Sequence, residues 1–158
     1  MIRRPPRSTQ RSNSFPTRRS SDLPRLTAIE IDPSLAGPLE ERLAGSNVEV
    51  ICVDATASGL DSDRFSAVTC FSMLHHMPSS EEQDRLFAEI GRVLRPGGIV
   101  VGVDSLDLDV IRLGHENDTF VPVDPATLGT RLAAAGLDEP RIDVGEYQFR
   151  FVTRKPGP

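Results

Sequence analysis

Glycine is absent from residues 1–25, although the chain holds 12 glycines in all. A stretch without glycine cannot build the tight backbone turn on which a bound phosphate or cofactor rests, because any side chain blocks that approach. Tryptophan is missing, and there is one tyrosine. No apolar run approaches the roughly 20 residues of a membrane helix. The only cysteines are Cys52 and Cys70, too few for a disulfide framework and without the paired spacing of a zinc site. Both fall in apolar strand runs, which reads as reduced core thiols of a cytoplasmic protein. Acid is short at the start: residues 1–25 carry seven arginines and one acid, a net +6, so the remainder, with 11 basic and 22 acidic residues, stands at −11. That acidic remainder disfavours non-specific nucleic-acid binding.

What is present centres on residues 65–104. Phe65–Phe71 is an apolar run of strand length. Ser79 and Ser80 can cap a following helix, with Glu81 and Glu82 in the first turn, where the helix dipole favours negative charge. Leu86, Ile90 and Val93, flanked by Phe87 and Leu94, make a stripe at helical spacing. Pro96-Gly97-Gly98 stops that helix, and Ile99–Val103 reads as a second buried strand. Strand, helix of about four turns, strand is a βαβ unit, whose strands are parallel. The predicted class is α/β.

The same grammar repeats on either side. Leu26–Ile31 is a short strand, and Asp32-Pro33 opens a helix as N-cap and first helical residue. Leu39 and Leu43 give it a modest apolar face, and Gly45 ends it. Val48–Val53 is a further strand, followed by Asp54-Ala55 and a polar loop to Asp63. After Asp104 the chain turns polar through Asn117. His115, Glu116 and Asp118 lack metal-ligand spacing and read as a solvated loop, so no metal site is expected. Asp124-Pro125 caps another helix, with Leu128, Leu132 and Ala135 on one face and Gly136 at its end. Arg141–Val144 and Tyr147–Thr153 alternate as strands around Gly145-Glu146, a hairpin signal.

The run Leu74-His75-His76 after one strand and the turn Leu94-Arg95-Pro96-Gly97-Gly98 before the next resemble the second half of a class I S-adenosylmethionine-dependent methyltransferase. The resemblance covers about residues 26–155. It implies a Rossmann-like sheet, mostly parallel with an antiparallel C-terminal strand, lacking its first strand and glycine-rich turn. The cofactor it implies is S-adenosylmethionine. Glu30, followed by Ile31, would accept hydrogen bonds from the ribose hydroxyls, as acids at the end of a second strand do in doubly wound folds. The alternative for Glu30 is a solvated strand-end acid. Asp54 would meet the adenine amine, with small Ala55 leaving room for the ring, against the alternative of an Asx-turn. Phe71 would present backbone to the methionine end. His75 and His76 would stand at the mouth of the acceptor pocket, or serve as packing and loop-orienting residues.

Function follows as an expectation. Methyl transfer to a small-molecule acceptor is the leading reading, with this fragment expected to be impaired by the missing strand and turn; no Asn-Pro-Pro-Tyr-like signature for base methylation appears. No residue stands out as catalytic, because the sulfonium carries the reactivity. Two rivals remain: an NAD-dependent oxidoreductase, which Glu30 would suit equally, and a non-catalytic scaffold of the same fold. Residues 1–25, rich in Arg, Ser and Pro, cannot bury enough surface to order themselves. A transit peptide and a basic arm fit parts of their composition, but they read best as a translated adapter or assembly junction. They stand where the resemblance places the first strand and its turn.

Overall fold

The computed structural model describes residues 25–157. Residues 1–24, and with them most of the arginine-rich segment set apart above, lie outside the described residues. The chain divides into two compact units after Cys52.

In the first unit, β1 (Leu26–Glu30) and β2 (Val48–Cys52) run parallel, from Leu26 opposite Val48 to Glu30 opposite Cys52. The connection is α1 (Pro33–Leu43), which begins as its sequence dictates: Asp32 accepts from Ser34 N at 2.8 Å, and Pro33 occupies the first turn. Gly45, at φ +78°, takes the left-handed conformation just past the helix end. Two strands and one helix cover little. Ala36 is buried, whereas Ile31 and Leu35 are exposed, and so is Cys52, contrary to the expectation of a core thiol. A two-stranded parallel pair has too few neighbours to bury both of its faces.

In the second unit, β3 (Phe65–Phe71), β4 (Leu94–Ser105), β5 (Arg141–Val144) and β6 (Gln148–Arg154) form a sheet in the order β3-β4-β6-β5. β3 and β4 are parallel and joined through α2 (Ser80–Val93), which is the predicted βαβ unit. The pairs β4-β6 and β6-β5 are antiparallel, as expected of the C-terminal end. Among the described residues no ladder joins β1 or β2 to this sheet.

The helix α2 starts at Ser79, whose hydroxyl accepts from Glu82 N at 3.2 Å. It ends at Val93, before the proline, because Leu94 is already extended. Gly97, at φ +76°, carries the turn that follows; its N–H donates to Lys155 O and Lys155 N–H donates to Gly98 O, both at 2.9 Å. The Pro-Gly-Gly turn is thereby tied to the end of β6.

Leu94, Val100 and Asp104 on β4 and Phe149 and Phe151 on β6 point to one face, where Leu86, Phe87 and Ile90 of α2 and Leu128 and Leu132 of α4 (Pro125–Ala134) bury them. On β4 the alternate residues Ile99, Val101 and Val103 are only half-buried, so this is a one-sided strand and not the doubly covered one its apolar run suggests. The segment after Asp104, read from sequence only as polar, holds a short helix, α3 (Asp109–Leu113). Five residues are too few to show a hydrophobic period, and Leu108 gives no side-chain cap. No helix among the described residues is long and apolar enough to cross a membrane.

Candidate functional site

Glu30 is the last residue of β1, and its Oε1 accepts from Asp32 N at 2.9 Å. That bond fixes the carboxylate through one of its two oxygens. Ile31, next to it, is exposed. Asp54 lies two residues past the end of β2 and caps the 3₁₀ turn Ala55–Ala57. Its Oδ1 accepts from both Thr56 N and Thr56 Oγ1 at 2.8 Å, so the Asx-turn is made, and made with one oxygen. Ala55 is partly buried against the core of the second unit. Glu30 and Ile31 belong to the first unit, Asp54, Ala55, Phe71, His75 and His76 to the second.

The segment beyond Asp54 is held to α2. Ser58 N and Oγ donate to Glu89 Oε1 at 3.1 and 2.5 Å, and Arg92 braces the same carboxylate at 2.7–2.8 Å while donating to Leu60 O. The Arg92 guanidinium, helped by Ser58, holds the Glu89 carboxyl down at about 2, against a smaller upward effect of burial.

Phe71 ends β3 with its side chain exposed. Ser72 then takes φ +50°, a conformation uncommon outside glycine, and its N–H donates to Val103 O at 2.8 Å. This sharp turn sends the chain into the 3₁₀ turn Leu74–His76 over the end of β4. Phe71 pairs with Val103, so Asp104 is the next residue along β4 at that end of the sheet. Asp104 is fully buried. Its Oδ2 accepts from Leu74 N at 2.9 Å, and its Oδ1 accepts from Ser105 N at 2.8 Å and from the buried His75 Nδ1. Burial, helped by the charge of Asp104, pushes the Cys70 thiol up to about 12.

Further bonds hold the His75 turn. Val121 N donates to His75 O at 2.7 Å, and the buried Gln83 amide donates to Leu74 O and Val121 O at 3.0 and 2.8 Å. Arg131 in turn donates to Gln83 Oε1 at 2.9 Å and lies over the Phe87 ring. His76 is exposed, and its Nδ1 stands 3.1 Å from Asp118 Oδ2. Of the two readings for these histidines, the packed, loop-orienting one describes His75 as it stands.

Sequence alone missed three participants. Asp104 reads there only as the end of an apolar strand. Gln83 is one polar residue on a polar helix. His115, read as part of a solvated loop, is half-buried and lies beside both other histidines, with ring centroids 5.1 Å from His75 and 5.2 Å from His76. One ring nitrogen from each of the three lies within 4.8 Å of the others, a grouping able to hold a metal ion. The expectation of no metal site rested on local spacing, and this grouping comes from two distant segments.

Comparison with known proteins bears on the family and the fold. Residues 13–102 match the methyltransferase domain family. No curated protein matches the sequence significantly. Among solved structures the chain resembles an S-adenosylmethionine-dependent methyltransferase of Methanosarcina mazei, with 19% identity and a TM-score of 0.67 over 88% of this chain and 85% of that one. It also resembles a protein of Bordetella parapertussis, at 16% identity and TM-score 0.67, covering 84% of this chain and 54% of that one. A third is the phosphoethanolamine N-methyltransferase 2 of Haemonchus contortus in complex with phosphomonomethylethanolamine and S-adenosylhomocysteine, at 11% identity and TM-score 0.68, covering 84% and 44%. The chain thus spans about half the length of the Bordetella and Haemonchus proteins.

Proposed function

Since this chain belongs to the class I S-adenosylmethionine-dependent methyltransferase family, we propose that it transfers a methyl group from S-adenosylmethionine to a small-molecule acceptor. One observation carries the reading: inside a matched methyltransferase domain, two carboxylates follow the carboxyl ends of parallel strands, each steadied by an N–H two residues on. Ligands of open α/β sheets bind outside those strand ends.

S-adenosylmethionine, when bound, supplies an electrophilic methyl group on a sulfonium. Glu30 accepts from the ribose hydroxyls through Oε2, since Oε1 serves Asp32. Asp54 accepts from the adenine amine through Oδ2, since Oδ1 serves Thr56. The backbone at Phe71 and Ser72, set by the turn that Val103 O holds, would meet the methionine end. The protein's own contribution to the transfer would be mainly to position donor and acceptor in line.

Calorimetric titration with S-adenosylmethionine, S-adenosylhomocysteine and NAD tests the donor. The two adenosyl ligands are expected to bind and NAD not. A methyl-labelled donor, offered with small hydroxyl, amine and thiol acceptors, tests the transfer. NAD binding alone would point to an oxidoreductase, and binding of none of them to a scaffold.

A further inference from the structure

Beyond their proximity, His75 and His115 each donate through Nδ1 to an oxygen, and the Nδ1 of His76 lies near one. His75 Nδ1 donates to the Asp104 carboxylate, His76 Nδ1 lies 3.1 Å from Asp118 Oδ2, and His115 Nδ1 donates to Ile111 O at 2.8 Å. A ring that donates through Nδ1 carries its proton there and keeps a lone pair on Nε2. Metal-bound histidines show the same arrangement, the second ring nitrogen donating to a carboxylate or carbonyl that fixes the tautomer.

We propose that these three histidines form a binding site for a divalent transition metal, zinc by the nature of the donors. Three imidazoles with no carboxylate among them suit zinc far better than magnesium or calcium, which take oxygen. Tetrahedral zinc, with bonds of about 2.0–2.1 Å, spaces its nitrogens about 3.4 Å apart. One ring nitrogen of each histidine already lies within 4.8 Å of the others, so closure takes about 1.4 Å at most. His76 is exposed and His115 half-buried, so these two rings have room to move, while Asp104 holds His75. The Phe120 ring, 4.7 Å from His115 and 5.5 Å from His75 between centroids, supplies an apolar wall. Three protein ligands leave one position open, as in catalytic zinc sites. An acceptor hydroxyl or thiol bound there would release its proton to solvent more readily and so become the nucleophile. That use rests on the methyl-transfer reading, whereas ion binding does not.

Zinc titrated into the full chain, without S-adenosylmethionine, is expected to bind at one equivalent with micromolar or tighter affinity. Cobalt at the same site should show the visible absorption of a tetrahedral centre. His115→Ala should weaken zinc binding at least tenfold, and Asp118→Asn, which changes only the carboxylate behind His76, about tenfold. Glu116→Gln, adjacent in sequence but not a ligand, should bind as the parent does. If His115→Ala alters the circular dichroism, His76→Ala on the exposed side carries the same comparison. Absence of binding below millimolar zinc, or affinity unchanged in both histidine variants, would overturn the site. Intact zinc binding in a chain that binds no S-adenosylmethionine would instead strike the functional reading and leave the metal site standing.

Discussion

Asp104, at the end of β4, accepts the Nδ1–H of His75 and the backbone N–H groups of Leu74 and Ser105, all with its side chain sealed from solvent. One carboxylate thus holds the turn after β3 to the neighbouring strand. Asp104→Asn keeps the shape but sets an amide NH₂ against one of these donors. Each buried donor left without an acceptor costs about 1–3 kcal/mol. The urea midpoint is expected to fall accordingly, and an unchanged midpoint would mean that the carboxylate anchors nothing.

Glu30→Ala is expected to weaken S-adenosylmethionine binding by about 1.5–3 kcal/mol, the range for hydrogen bonds to a charged group. Calorimetry on the two proteins decides. Equal affinities would return Glu30 to the role it visibly has, accepting from Asp32 N.

Glu89 makes stability depend on pH. Its carboxyl sits at about 2 in the fold against an ordinary 4.5, because Arg92 and Ser58 bond its charged form. A depressed carboxyl contributes stability that is complete above the ordinary value and is lost as pH falls through the folded one. The stability gap between the parent and Glu89→Gln should therefore be constant at neutral pH and close between pH 4.5 and about 2. A gap that persists at the acid end would contradict the assignment.

Cysteine reactivity should split. The thiolate is the nucleophile, and the Cys70 thiol is buried and pushed up to about 12. Cys52 is exposed. Brief alkylation of the native protein with iodoacetamide at mildly alkaline pH is expected to label Cys52 and spare Cys70 until denaturant is added, as peptide mass spectrometry would show.

Gly102 leaves room for an aromatic ring. A Cβ there would run into the Phe151 ring, and Phe151 is itself buried. Gly102→Ala is expected to cost about 1–3 kcal/mol through overpacking. Adding Phe151→Leu should recover part of the loss in thermal melting, because the smaller side chain vacates that space.

The elements were legible because their signals are local. Asp32-Pro33, Ser79 and Asp124-Pro125 start helices where expected, since a cap and the N–H it satisfies lie within three residues of each other. The stripe of Leu86, Ile90 and Val93 is buried as its period requires. The family is legible from the turns flanking the same βαβ unit, and the strand-end placement of Glu30 and Asp54 follows from chain order.

Burial and partnership were decided elsewhere. Whether a strand is covered on one face or two depends on which helices pack on it. For that reason Cys52 is exposed and Val101 half-buried despite apolar surroundings in sequence. α3 is too short to announce itself by period. The Asp104–His75 bond exists because the register of β3 against β4 sets Phe71 beside Val103, and Ser72 turns the next residues over that strand end. His115 meets His75 and His76 through a separate loop, with Val121 N bonded to His75 O. Pattern and spacing determined that this chain is an α/β protein with acids just past the ends of two strands. Only the tertiary structure could gather three histidines from two segments, because long-range contacts are set by strand register and loop closure, which no short window of sequence contains.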